Sequence, residues 1–303
     1  MIVTSGCSEA LALSLQTVTR RGDIVAVESP TYFSVLRLIE RMGLLAVEID
    51  SDPETGLCLD ALENAIETMD IKAVVAVLNF SNPVGSLMPD AHKERLVGML
   101  EQADIPLIED DIYGDLHFGE QRPAIGKCYD RKGIVLTCSS FSKTLAPGYR
   151  IGWVIADRYR DAVIEWKLAT SSAMCSLPQM AMADYLRSGE YERQLPRLRA
   201  AYRSQVEKMR FMLSQHLPEA TRITDPQGGF VLWVELPRGT DALELLNRAL
   251  QENISLTPGM MFSATRKFRN FVRINCGHPW NARTEHAVER LGQLVRDMAA
   301  ESR

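Results

Sequence analysis

Ala73-Val-Val-Ala-Val-Leu78, running into Asn79-Phe-Ser-Asn-Pro-Val-Gly85, decides the fold. An apolar run with no polar alternation is what a strand needs when both its faces are covered, and it is far shorter than the eighteen or so residues of a membrane span. Pro83 and Gly85 then force a turn at its carboxyl end. On either side, β-branched runs at residues 24–28, 44–49, 106–109, 134–138 and 151–155 alternate with stretches at 34–42, 59–69 and 89–103. In those stretches apolar residues recur every three or four positions, as on an amphipathic helix. Strands alternating with helices predict an α/β fold, a mostly parallel central sheet with helices on both faces.

Beyond Tyr159 the pattern changes to long helical stretches at 161–171, 177–186 and 191–217. A strand at 229–236, a helix at 242–252, a strand at 271–275 and a closing helix at 284–300 then predict a smaller α+β unit. The expected division is a large domain over 1–195 and a small C-terminal domain over 196–303. The 303 residues are 46% hydrophobic and 24% charged, which excludes a disordered or fibrous chain. A formal net charge of −5 repels a phosphate backbone, so nucleic acid is not an expected partner of this chain itself. No run is long enough for a membrane span, no Lys or Arg precedes the apolar start, and Glu9 interrupts it, so a cytoplasmic protein without a secretory signal is expected. The six cysteines are scattered without a CxxC, which predicts reduced thiols and no metal site.

Five features fall at predicted carboxyl ends of strands, the edge where ligands of open α/β sheets gather. Thr4-Ser-Gly-Cys-Ser-Glu-Ala-Leu11 is a turn opening a helix, whose unpaired N–H groups and small residues Gly6, Cys7 and Ser8 admit an anion; simple capping by Ser5 or Ser8 is the alternative. Asn82 sits in the turn after the buried run. Glu109, Asp110 and Asp111 end another strand, and buried carboxylates need partners, whether Mg²⁺ or a cationic ring nitrogen. Lys143 is one of only eight lysines and lies in a mostly apolar stretch, where poor solvation favours the neutral, imine-forming amine. Arg150, seven residues on, suits a phosphate or carboxylate.

Taken together these residues resemble the class I/II aminotransferases of fold type I, the pyridoxal 5′-phosphate (PLP) enzymes. The resemblance covers nearly the whole chain and is carried by SFSKTLAPGYRIGW at 140–153, NPVG at 82–85 and DDIYGDL at 110–116, with Lys143 33 residues after Asp110 and Asp110 28 after Asn82. It implies that Lys143 joins PLP covalently and shuttles the substrate proton, and that Asp110 keeps the pyridine nitrogen protonated. It further implies that Asn82 and Tyr113 hydrogen-bond the ring oxygen and that Tyr32 stacks on the ring. Gly6, Cys7, Ser8, Ser140, Ser142 and Arg150 would hold the phosphate, and Arg273, with Asn82, the substrate carboxylate. The segments 228–230 and 257–262 resemble small-domain elements that close over substrate.

The wording of residues 4–33 is most similar to the aminotransferase-like domain of MocR-subfamily GntR regulators. Two functions are therefore expected from one set of residues: an aminotransferase acting on an amino acid and a 2-oxo acid, or an amino-acid-sensing effector domain of a transcriptional regulator whose winged helix-turn-helix lies outside this sequence. The resemblance also implies a homodimer. The sequence starts at the phosphate turn, so the roughly one hundred residues that precede it in complete members are expected to be lacking.

Overall fold

The computed structural model describes residues 1–301. Its larger sheet contains β1 (Ile2–Thr4), β2 (Ile24–Ser29), β3 (Leu45–Asp52), β4 (Gly56–Leu57), β5 (Ile71–Ala76), β6 (Leu107–Asp110), β7 (Val135–Ser140) and β8 (Gly152–Ile155), in the order β1-β8-β7-β6-β5-β2-β3-β4. The five strands from β7 through β3 pair parallel, whereas β8 runs antiparallel to both β7 and β1, and β4 antiparallel to β3. The order reverses between β2 and β5, which opens a crevice at the carboxyl ends there. A smaller antiparallel sheet has the order β11 (Thr257–Pro258), β12 (Phe271–Asn275), β10 (Val231–Glu235), β9 (Arg222–Ile223).

The helices are α1 (Cys7–Val18), α2 (Phe33–Arg41), α3 (Leu59–Thr68), α4 (Asp90–Ala103), α5 (Arg160–Thr170), α6 (Ser176–Arg187), α7 (Glu190–His216), α8 (Ala242–Gln251) and α9 (Ala282–Glu301). The central run explains itself in this setting. Ala73 and Val75 pack with Leu11, Leu13 and Leu15 of α1 on one face of the sheet. Val74 and Ala76 pack with Leu62 of α3 and with Leu96 and Leu100 of α4 on the other. Both faces are dry, so neither set of alternating side chains can be polar; each buried valine contributes about 1.5–3 kcal/mol. Behind the smaller sheet, Leu232, Val234 and Val272 pack against Leu213 of α7, Leu245 of α8 and Val295 of α9.

The two sheets are joined near the carboxyl edge of the large one. Phe80 and Tyr113, from the turns after β5 and β6, belong to the core of the smaller sheet. Phe230 meets the Tyr113 ring edge-on at 5.5 Å, and a Cβ at Gly228 would stand 2.6 Å from the Phe80 ring, so only glycine lets that backbone approach. Thr31 N–H donates to the Phe262 carbonyl at 2.9 Å, a second bridge.

Candidate active site

Because β1 and β7 are parallel to the central strands while β8 is antiparallel, the carboxyl ends of β1, β2, β5, β6 and β7 and the amino end of β8 share one edge. A cavity of about 300 Å³ opens there. Its wall includes Cys7, Ser8, Tyr32, Asn82, Asp110, Tyr113, Ser140, Ser142, Lys143, Arg150 and Arg273. The structure thus brings together every expected site residue except Gly6. Gly6 stands behind Arg150: a Cβ there would lie 2.4 Å from Nη2, and its φ of +76° belongs to the left-handed region.

At one end, α1 begins at Gly6 with no side-chain cap, so the expected alternative of capping by Ser5 or Ser8 is not what the chain does. Ser5 instead gives its N–H to the Glu9 carboxylate. The first N–H groups of α1, the hydroxyls of Ser8, Ser140 and Ser142, and Arg150 form a donor-rich pocket for an anion. Arg150 is held by its own donation to the Ser5 carbonyl at 2.9 Å. Cys7 differs from its expected part in one respect. Its thiol donates to Asp110 Oδ1 at 3.2 Å, so its side chain serves the carboxylate and only its backbone is left for the anion.

The three consecutive acids separate into three environments. Asp111 pairs with Arg122 and accepts from Asn79 Nδ2 at 3.0 Å. Glu109 accepts from Gly126 N–H at 2.7 Å and Thr137 Oγ1 at 3.2 Å, yet burial pushes its carboxyl up to about 7. Asp110 alone faces the cavity; burial pushes it up to about 6, opposed by the Cys7 thiol and by Lys143. Among the described residues no cluster of three or more His, Cys, Asp or Glu is placed to hold a metal ion.

Burial lowers the proton affinity of Lys143, and the positive charges of Arg273 and Arg150 lower it further, against the opposing pull of Asp110. Arg273, on β12, donates to Asn82 Oδ1 and to Thr257 Oγ1, both at 3.2 Å, and its guanidinium lies 5.4 Å over the Phe262 ring. Its Nε is buried without a partner, an unmet donor beside the cavity. Burial holds the Tyr113 hydroxyl well above the usual phenol range, so it stays a donor. Tyr32 lines the cavity with its ring 4.7 Å from Phe33.

Glu28 was not legible as a special residue. It is the penultimate residue of β2, at the point of strand reversal, accepts Val77 N–H at 2.8 Å and is pushed by burial up to about 8. Through the range from pH 5.5 to 7.5 the unfolded chain has released this proton while the folded chain keeps it. Glu28 therefore lowers stability as pH rises, by about 1.4 kcal/mol per unit. Glu28→Gln, which retains the acceptor, should flatten this dependence: between pH 6 and 7.5 the denaturant-derived stability of the variant should fall by about 2 kcal/mol less than that of the unaltered protein. Identical pH slopes would refute the assignment.

Among the described residues no helix is long and apolar enough to cross a membrane. The pattern described as aminotransferase class I and II matches residues 1–291. The chain is 40% identical over 97% of its length to the HTH-type transcriptional regulator YjiR of Escherichia coli K12, and 39% identical over 98% to YdcR of the same organism; it spans 63% and 64% of these relatives. It is 30% identical to the 2-aminoadipate transaminase of Thermus thermophilus, over 99% of this chain and 76% of that one. Among solved structures it superposes on the α-aminoadipate aminotransferase LysN of Thermus thermophilus, solved with N-(5′-phosphopyridoxyl)-L-leucine, with a TM-score of 0.94, 29% identity and coverage of 99% and 77%. The kynurenine aminotransferase of Pyrococcus horikoshii gives 0.91, 30%, 97% and 74%. The chain belongs to the class I and II aminotransferase family.

Proposed function

We propose that the cavity binds pyridoxal 5′-phosphate and that the chain passes an amino group between an amino acid and a 2-oxo acid. The observation that carries this reading is the placement of Asp110, Lys143, Arg150 and Arg273 on the wall of one small cavity. The donor set fits the group: an uncapped helix start with three serines and an arginine for the phosphate, a lone buried carboxylate for a cationic ring, and an amine of lowered proton affinity for the aldehyde. When bound, the cofactor supplies an aldehyde and a ring that accepts electrons from a substrate bond.

The residues then take distinct parts. Arg150, Ser8, Ser140, Ser142 and the backbone at Gly6 and Cys7 hold the phosphate. Asp110 keeps a proton on the ring nitrogen, since a cation beside a buried carboxylate stabilises the charged form of both. Asn82 and Tyr113 would donate to the cofactor's ring oxygen, and Tyr32 would pack against the ring. Lys143 would hold the cofactor through its amine and would move the proton at the substrate Cα; its lowered proton affinity favours the neutral amine that this needs. Arg273 grips the substrate carboxylate and so aligns the bond to be broken. Arg273→Lys keeps the charge but loses the fork, so KM for the amino acid should rise by about 10- to 100-fold with a smaller change in kcat; steady-state kinetics would count against the role if KM stayed within twofold.

The division near residue 195 is part of the same reading: α7 crosses it, with the large sheet before it and the smaller sheet after it. The exposed apolar side chains Trp166 and Leu168 on α5, with Leu177 and Met180 on α6, support a homodimer contact. Six free cysteines are in keeping with a reducing cytoplasm.

The test is spectroscopic. Adding PLP to the purified chain should produce a visible absorption band, an amino acid should discharge it, and a 2-oxo acid should restore it. No band, or a band indifferent to every amino acid tried, would refute the proposal. The likeness to YjiR and YdcR supports a second reading, in which the same site senses an amino acid for a regulator. A band altered by an amino acid and never restored by a 2-oxo acid is its signature.

A further inference from the structure

Resting on the cofactor reading above, we propose that Tyr191 is a positioning residue that sets the place of the Lys143 amine. Tyr191 stands in the first turn of α7, buried, although that helix carries no other group of the site. Its hydroxyl lies 2.9 Å from Asp115 Oδ2 and 3.0 Å from Thr144 Oγ1. A carboxylate can only accept, so the phenolic proton goes to Asp115 and the phenol oxygen is left to accept from Thr144. The Tyr191 ring meets Phe141 edge-on at 5.4 Å.

Those two contacts bracket the lysine. The Phe141 carbonyl accepts from Leu145 N–H at 2.9 Å and Ala146 N–H at 3.2 Å, which closes the turn that carries Lys143. Asp115 is in turn held by Arg122 Nε at 2.7 Å, and Arg122 also pairs with Asp111, the neighbour of Asp110. One hydroxyl therefore ties the lysine turn to the segment bearing the carboxylate. A long flexible amine needs such support, because a displacement of about 1 Å at a reacting group costs orders of magnitude in rate. Phenylalanine would keep the packing on Phe141 and lose only this tie.

In Tyr191→Phe the rate of the first half-reaction should fall about tenfold with KM within twofold. The pH midpoint of the bound-cofactor band should move by about half a unit, as expected for losing a hydrogen bond one residue from the titrating amine. The Lys143 midpoint of cofactor-free protein, read by NMR with ¹³C-labelled lysine, should move as well. Thr144→Val should reproduce these changes and Thr144→Ser should not. If the unaltered protein forms its band and both variants match it in rate and midpoint, Tyr191 has no positioning part. If the unaltered protein forms no band, the cofactor reading itself fails and this inference with it.

Discussion

Lys143→Ala is expected to lower turnover by roughly 10⁵-fold or more, since it removes both the covalent attachment and the base that moves the Cα proton. The same change should leave the fold intact or make it sturdier. Burial and the nearby charges of Arg273 and Arg150 work against the Lys143 ammonium, and alanine relieves that conflict. A thermal midpoint at or above that of the unaltered protein, together with lost activity, separates a chemical role from a structural one. A variant with residual activity within a hundredfold, assayed free of contaminating enzyme, would contradict it.

Asp110→Asn should have the next largest effect, and in two opposed directions. Asparagine has nearly the same shape and can still accept the Cys7 thiol hydrogen, but it cannot hold a proton on the ring nitrogen. Turnover should fall by roughly 10³-fold, the scale for removing an electrostatic group matched to developing charge. Stability without cofactor should rise. The carboxyl is pushed from its usual 3.8 up to about 6 by burial, so above pH 6 the folded chain carries a charge that the unfolded chain solvates better. Asparagine removes that penalty, about 2–3 kcal/mol at pH 7.5. Denaturant unfolding at pH 7.5 and at pH 4 tests the sign: the gain should be present at the first and largely gone at the second. A destabilised variant at pH 7.5 would mean that the Asp110 charge is well compensated even without a ring beside it.

The regular elements were legible wherever a local period exists. The helix expected at 191–217 is α7 within one residue at each end, and the strand expected at 271–275 is β12. The short strands β1, β4, β9 and β11 were not, because two or three residues have no period and their pairing is supplied from afar, as when Ile2 meets Val154 and Thr257 meets Arg273. Residues that line the cavity were legible where turn chemistry and charge coincide at a strand end, as at Asn82, Asp110 and Lys143. What sequence left open was the division of labour among neighbours. Nothing local says that Arg122 serves Asp111 and not Asp110, or that the Cys7 thiol turns to a carboxylate 103 positions away. Glu28 reads as an ordinary polar strand end, and only the crevice between β2 and β5 makes it a buried acid.

The central claim is that one lysine joins the cofactor. Incubating the purified chain with PLP, reducing with borohydride and mapping peptides by mass spectrometry tests it directly. The account predicts a single phosphopyridoxyl group on Lys143, absent from Lys143→Ala. Its appearance on any of the other seven lysines in place of Lys143, or on none, would contradict it.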